Sequence, residues 1–171
     1  GSEYVQARGE KRLREERELL DILPKIPDLQ CGWLLLYFSA VPRANHLLRA
    51  VPPTRVHSYA EEHDKALLET LLALLNRDSR NTGQRTKNKA QLPCRLGGCG
   101  LRCSTRTAPA AYWAAWADVL PTLHRRFPTL AADYLDTLEN NRRRGECFDE
   151  VLAAERTLRE EGYEPPAYRD V

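Results

Sequence analysis

Leu29-Gln-Cys-Gly-Trp-Leu-Leu-Leu-Tyr-Phe-Ser-Ala-Val41 is the longest apolar run in the chain, and Pro42 closes it. Thirteen residues are too few to cross a bilayer as a helix, which takes about twenty. The stretch from Leu29 to Ala40 is apolar on every side, so it reads as a helix buried in the middle of a bundle. Pro42 kinks or breaks that helix, and Arg43-Ala-Asn-His-Leu-Leu-Arg49 continues it as an amphipathic turn or two before Pro52-Pro53.

Working outward, each flank supplies helices for it to pack on. Glu3 to Leu23 alternates Glu and Arg with a few leucines, which predicts a long, mostly exposed helix whose last two turns dock. Pro24 and Pro27 form an elbow. Ser58-x-x-Glu61 is spaced as a capping box for a helix reaching about Leu75, with Leu67, Leu68, Leu71, Leu72 and Leu75 at core spacing. Asn76 to Ala90 lacks periodicity and reads as a mobile loop, and Gln91 to Leu101 as a glycine-rich turn. Ser104 or Thr107 caps a further helix to about Leu120, with Pro109 in its first turn. Its Tyr112, Trp113 and Trp116 are expected in the core rather than as a base-stacking platform. Thr129 to Leu138 and Cys147 to Glu160 complete the set, divided by Asn140-Asn-Arg-Arg-Arg-Gly145.

The expected fold is therefore all-α: an irregular bundle of six or seven helices, with a Gly-rich turn between two helical halves. Residues 3–76 form the first half, 77–106 the basic loop and turn, 107–162 the second half, and 163–171 a tail. With 42% hydrophobic and 29% charged residues in a chain of 171, disorder throughout is excluded. Met is absent even at position 1. The chain thus reads as a piece of a longer reading frame, or as one whose Gly1-Ser2 is a cloning remnant. The absence of a charged-then-apolar leader gives secretion no support.

The net charge of +2 hides an asymmetry. Arg77, Arg80, Arg85, Lys87, Lys89, Arg95, Arg102 and Arg106 face a single acid, Asp78, so 77–106 carries +7 and the rest of the chain −5. A block this dense suits a phosphate backbone through counterion release, whereas the plainer alternative is a solvated loop.

Five cysteines, an odd count, point to free thiols in a reducing, intracellular compartment. Cys94, Cys99 and Cys103 have the spacing C-x4-C-x3-C, but no matching second pair follows, so they read as small apolar residues and no metal is expected. His46, His57, His63 and His124 are scattered, and Gly-x-Ser-x-Gly, Walker and His-Glu-x-x-His motifs are missing. Leu96-Gly-Gly-Cys-Gly100 lacks the Lys-Ser/Thr that would cradle a phosphate, and adjacent His63 and Asp64 on one helix point apart. The reading is a binding module with no cofactor.

Four blocks carry a resemblance. They are Trp33-Leu-Leu-Leu-Tyr-Phe-Ser-Ala-Val-Pro-Arg-Ala-Asn-His-Leu-Leu-Arg-Ala-Val-Pro-Pro53, His63-Asp64, Gln91-Leu-Pro-Cys-Arg-Leu-Gly-Gly-Cys-Gly-Leu-Arg102 and Thr107-Ala-Pro-Ala-Ala-Tyr-Trp-Ala-Ala-Trp-Ala117. Their order and spacing, over about Tyr4 to Leu120, resemble the region just after the catalytic palm in reverse transcriptase-like proteins of non-LTR (LINE-type) retroelements. The resemblance implies a helical thumb and connector that grips a template–primer duplex, with 3–76 the thumb-like half. It implies that Arg43, Asn45 and Arg49 face the nucleic-acid backbone, and that Arg85, Lys87, Lys89, Arg95 and Arg102 add phosphate contacts. Gly97, Gly98 and Gly100 would form the joining turn. The chain departs from the pattern at Cys94, Cys99 and Cys103, where aliphatic or small residues are usual. It also contains no Tyr-x-Asp-Asp turn and no Asp-Asp pair, so two carboxylates to hold catalytic metal are missing. The expectation is a non-catalytic fragment binding RNA or an RNA–DNA hybrid, nuclear if it belongs to a retroelement protein. The alternative is a domesticated descendant whose helical scaffold serves as a protein-interaction subunit of a larger assembly.

Overall fold

The computed structural model describes residues 2–77, 82–140 and 145–170. Asp78 and Arg80 of the basic block, and 141–144 of the Arg-rich divider, lie outside the described residues. Among the described residues every regular element is helical: the chain is an all-α bundle. Helix α1 spans Ser2–Leu20, α2 Leu29–Leu35, α3 Asn45–Ala50, α4 Pro53–Leu74, α5 Gln84–Gln91, α6 Ser104–Arg126, α7 Pro128–Asn140 and α8 Glu146–Glu160. A π turn, Leu36–Ala40, and a 3-10 turn, Val41–Ala44, join α2 to α3 without leaving right-handed helical backbone. These pieces make one broken helix, so the described residues form seven rods. α1 packs along α4, α6 lies across α3 and α4, and α7 and α8 close on α6.

The break in the second rod has a covalent cause. Pro42 has no N–H to give to the carbonyl four residues back, and its ring crowds that carbonyl. The backbone widens instead, and Val41 N–H reaches Leu36 O, five residues away. The wider turn offsets the drift that four-residue steps accumulate on an ordinary helix. Gly32, Leu36 and Ala40 therefore stay on one buried line. Asp28 starts the rod by accepting Cys31 N–H at 2.8 Å, and that backbone hydrogen bond holds its carboxyl below the ordinary value of 3.8.

Burial of this rod is one-sided, which corrects the expectation of a fully buried helix. Leu29, Leu35 and Phe38 are 50%, 42% and 68% exposed. The rod lies at the margin of the bundle, with α1 and α4 covering one face. An apolar run shows that a helix can be buried all round, not that neighbours exist to do it.

Two further expectations are corrected. Ser58 does not cap a helix: α4 begins at Pro53, whose fixed φ suits the first helical position and whose missing N–H costs nothing there. The predicted loop between Asn76 and Ala90 contains α5, whose buried residue is Ala90. A short helix of Gln, Arg, Lys and Asn docked through one small residue leaves no apolar period to read.

Three apolar clusters share the load. Leu20, Leu23, Leu36, Leu67 and Leu71 join α1, the elbow after it, the π turn of the broken rod and α4, together with Ala90 and Leu101 from the basic segment. Leu48, Val56, Tyr59 and Ala108 join α3 and α4 to the start of α6. Trp113, Leu120, Leu138, Val151 and Tyr168 hold α6, α7 and α8 together. Trp113 is thus core, and Tyr168, in the expected 163–171 tail, packs 5.3 Å from its ring and is buried. Each fully buried leucine contributes about 1.5–3 kcal/mol.

Candidate nucleic-acid interface

From Thr82 to Arg106 the chain contains no acidic residue. Arg85, Lys87 and Lys89 stand exposed on α5, Arg95 on the short 3-10 turn Cys94–Leu96, and Arg102 and Arg106 just beyond. Among the described residues none of these six forms an ion pair.

The strip is nonetheless fixed. Gly100 N–H donates to Leu92 O at 2.9 Å and Leu101 N–H to Ala90 O at 3.1 Å, folding the turn back on the end of α5. That path requires glycine. Gly100 has φ of 73°, and a Cβ on Gly98 would lie 2.1 Å from Leu92 O. The turn is pinned to α2 as well, where Trp33 Nε1–H donates to Cys99 O at 3.2 Å.

Arg43 and Asn45 are half-buried where the broken rod bends into α3. Arg49, in the last turn of α3, is already engaged: its Nη2 lies 2.6 Å from Asp118 Oδ2 on α6. The eight residues expected to share one role therefore divide into unpaired cations on the strip, two half-buried side chains, and one arginine paired within the bundle. Lys87 and Arg102 also differ from Arg85 in position, since they line a groove of about 580 Å³ whose α4 wall carries Glu61, Asp64 and Glu69.

Sequence reasoning missed a buried polar hub on α4. Glu16 of α1 is 2% exposed and accepts Tyr59 O–H at 2.7 Å, while His63 Nδ1 lies 2.6 Å from its other oxygen. The Tyr59 and His63 rings stack at 5.9 Å. The signal was present. Gly9, Leu13, Glu16 and Leu20 share one face of α1, so an acid sits on a docking stripe. That stripe docks from Gly9 onward, further than the last two turns. Asp64, next in sequence to His63, points the other way. Its carboxylate accepts Ser104 N–H at 2.7 Å and Thr105 N–H at 3.1 Å, capping α6 from another helix. His63 and Asp64 are two separate anchors, to α1 and to α6.

All five thiols are free. Cys94 is exposed, against its expected role as a small apolar residue, whereas Cys99 is half-buried against the first cluster and burial raises its pKa. Among the described residues no group of three or more His, Cys, Asp or Glu is placed to hold a metal ion, and no helix is long and apolar enough to cross a membrane.

No protein-family model matches the chain. No solved structure matches it either. Over 115 residues it is 29% identical to the retrotransposable element SLACS 132 kDa protein of Trypanosoma brucei gambiense, an alignment covering 67% of this chain and 10% of that protein. The chain spans about a tenth of the length of this relative. The similarity supports a retroelement-related origin.

Proposed function

We propose that the chain is a non-catalytic, thumb-like helical fragment of a retroelement protein and binds RNA or an RNA–DNA hybrid by its backbone. The strip from Arg85 to Arg106 makes the contacts. One observation carries this reading: 82–106 presents its cations without a single acid and, among the described residues, without ion pairs, on a turn held by backbone hydrogen bonds. Such a surface neutralises phosphates and releases their counterions, independently of base sequence. The similarity to a retrotransposable element protein and the order of the four sequence blocks favour a nucleic-acid partner over other polyanions.

The test is affinity for a hybrid duplex measured against salt concentration. Binding through several phosphates gives a log–log slope near −0.9 for each phosphate neutralised. Replacing Arg85, Lys89 and Arg95 by Ala should weaken binding alike for unrelated sequences and flatten the slope. No detectable binding at about 50 mM salt sinks the proposal. That outcome would favour a domesticated helical subunit, a reading supported by the apolar depression lined by Leu29, Trp33, Leu71, Leu75 and Cys99.

A further inference from the structure

Phe38 is 68% exposed, on a helix whose sequence predicts burial on all sides. It is not an isolated apolar side chain. Its ring meets the Tyr37 ring edge-on at 4.8 Å, and Tyr37 in turn stacks on Trp33, with centroids 5.6 Å apart and planes at 23°. The row is fastened to the glycine-rich turn at two points. Trp33 donates its indole hydrogen bond to Cys99 O, and the Tyr37 edge lies so close to Gly100 that a Cβ there would stand 2.5 Å from Tyr37 Cε2. The π turn forced by Pro42 keeps Leu36 and Ala40 inward while Phe38 faces water.

The electrostatic setting identifies the occupant. No acidic residue occurs from Leu29 to Ala60, and none from Thr82 to Arg106. Both segments that meet at Tyr37 and Gly100 are thus free of negative charge. Arg43, half-buried, follows Phe38 on its own rod, and the exposed Arg95 projects from the turn against which Tyr37 rests. An exposed ring backed by further rings, between cationic segments, matches a strand that is polyanionic along its backbone and carries flat faces on its bases.

We infer that Phe38, supported by Tyr37 and Trp33, is a stacking platform for an unpaired base of a single-stranded nucleic acid whose phosphates the basic turn holds. The inference rests on the nucleic-acid reading above and adds the strand state and the base contact to it. It places stacking on the rod expected to be buried, while the aromatic residues of α6 pack in the core as expected.

The experiment uses the full chain and two oligonucleotides of equal length at one salt concentration, one bearing bases with a central 2-aminopurine, the other wholly abasic. The protein should bind the base-bearing strand more tightly and quench its 2-aminopurine fluorescence. Phe38→Ala should cost about tenfold in affinity for that strand, abolish the quenching, and leave affinity for the abasic strand unchanged. Phe38→Trp should restore both readouts. Melting temperature should stay put, since the ring is mostly in water. Equal affinity of wild type for the two strands overturns the platform while leaving phosphate binding intact. Failure of both strands and of the hybrid duplex overturns the nucleic-acid reading itself. If Phe38→Ala instead converts a dimer to a monomer in sedimentation, the ring is a contact between protein copies, and the inference is wrong.

Discussion

Two sets of charged and polar side chains, both anchored on or against α4, are handled in opposite ways. At the hub, Glu16, Tyr59 and His63 are nearly inaccessible and bonded to one another at 2.6 and 2.7 Å. On the strip, Arg85, Lys87, Lys89 and Arg95 are exposed and, among the described residues, unpaired. The hub cannot exchange its partners for an outside ligand without unfolding, because a buried polar group left alone costs what solvation would have given it. The strip has nothing to lose by binding an anion. Location within the fold, more than residue type, separates structural charge from charge available to a partner.

The largest effect that would sharpen this contrast lies at Glu16. Glu16→Ala removes the acceptor for both Tyr59 and His63 and leaves a void beside α4. It should destabilise the fold by about 3–5 kcal/mol in chemical denaturation. A cost under about 0.5 kcal/mol, the scale of an ordinary surface change, would show that the hub is no more structural than the strip.

A second effect comes from pH. Burial first, and then the hydrogen bond to Glu16, push the Tyr59 hydroxyl well above its ordinary value of 10.0; burial does the same to Tyr168. The folded state therefore keeps both hydroxyls protonated at a pH where the unfolded chain has released them. Their contribution to stability is intact below pH 10 and is lost as the pH rises beyond it. Melting temperature should fall above about pH 10, and less steeply in Tyr59→Phe. An identical alkaline slope in that variant would place Tyr59 in contact with water.

How much of this was legible in the sequence depends on how many neighbours a residue needs. The all-α class followed from local signals, because prolines at 24, 27, 42 and 52 and leucines at helical spacing act within a few residues of themselves. The core placement of Trp113 followed for the same reason. The exposure of Phe38 did not, since it depends on whether another helix covers one side of the broken rod. α5 escaped notice because docking through Ala90 alone gives no period. The basic strip was visible as composition, but the pairing of Arg49 with Asp118 joins residues 69 positions apart. No motif reading could supply that contact.

Asp64 tests the contrast at intermediate strength, because it is a half-buried charge used across helices. Asp64→Ala leaves the Ser104 and Thr105 amides at the start of α6 without their acceptor. A loss of about 1–2 kcal/mol is expected, with Asp64→Asn recovering much of it as a neutral cap. If Asp64→Ala weakens nucleic-acid binding with no change in stability, Asp64 belongs to the interface and structural charge is not separated from binding charge by burial.

The smallest stability effect belongs to the strip, and it carries the sharpest discrimination. Arg85→Ala and Lys87→Ala should each change stability by less than about 0.5 kcal/mol. Their effects on binding should differ. Lys87 lines the groove that it shares with Glu61, Asp64 and Glu69, whose carboxylates lower the positive potential it offers to a phosphate. Arg85 does not line that groove. Arg85→Ala should therefore reduce affinity and salt slope more than Lys87→Ala when both are titrated with the same duplex. Equal losses would mean that a bound strand reaches into the groove, and that the α4 acids are themselves part of the surface that it meets.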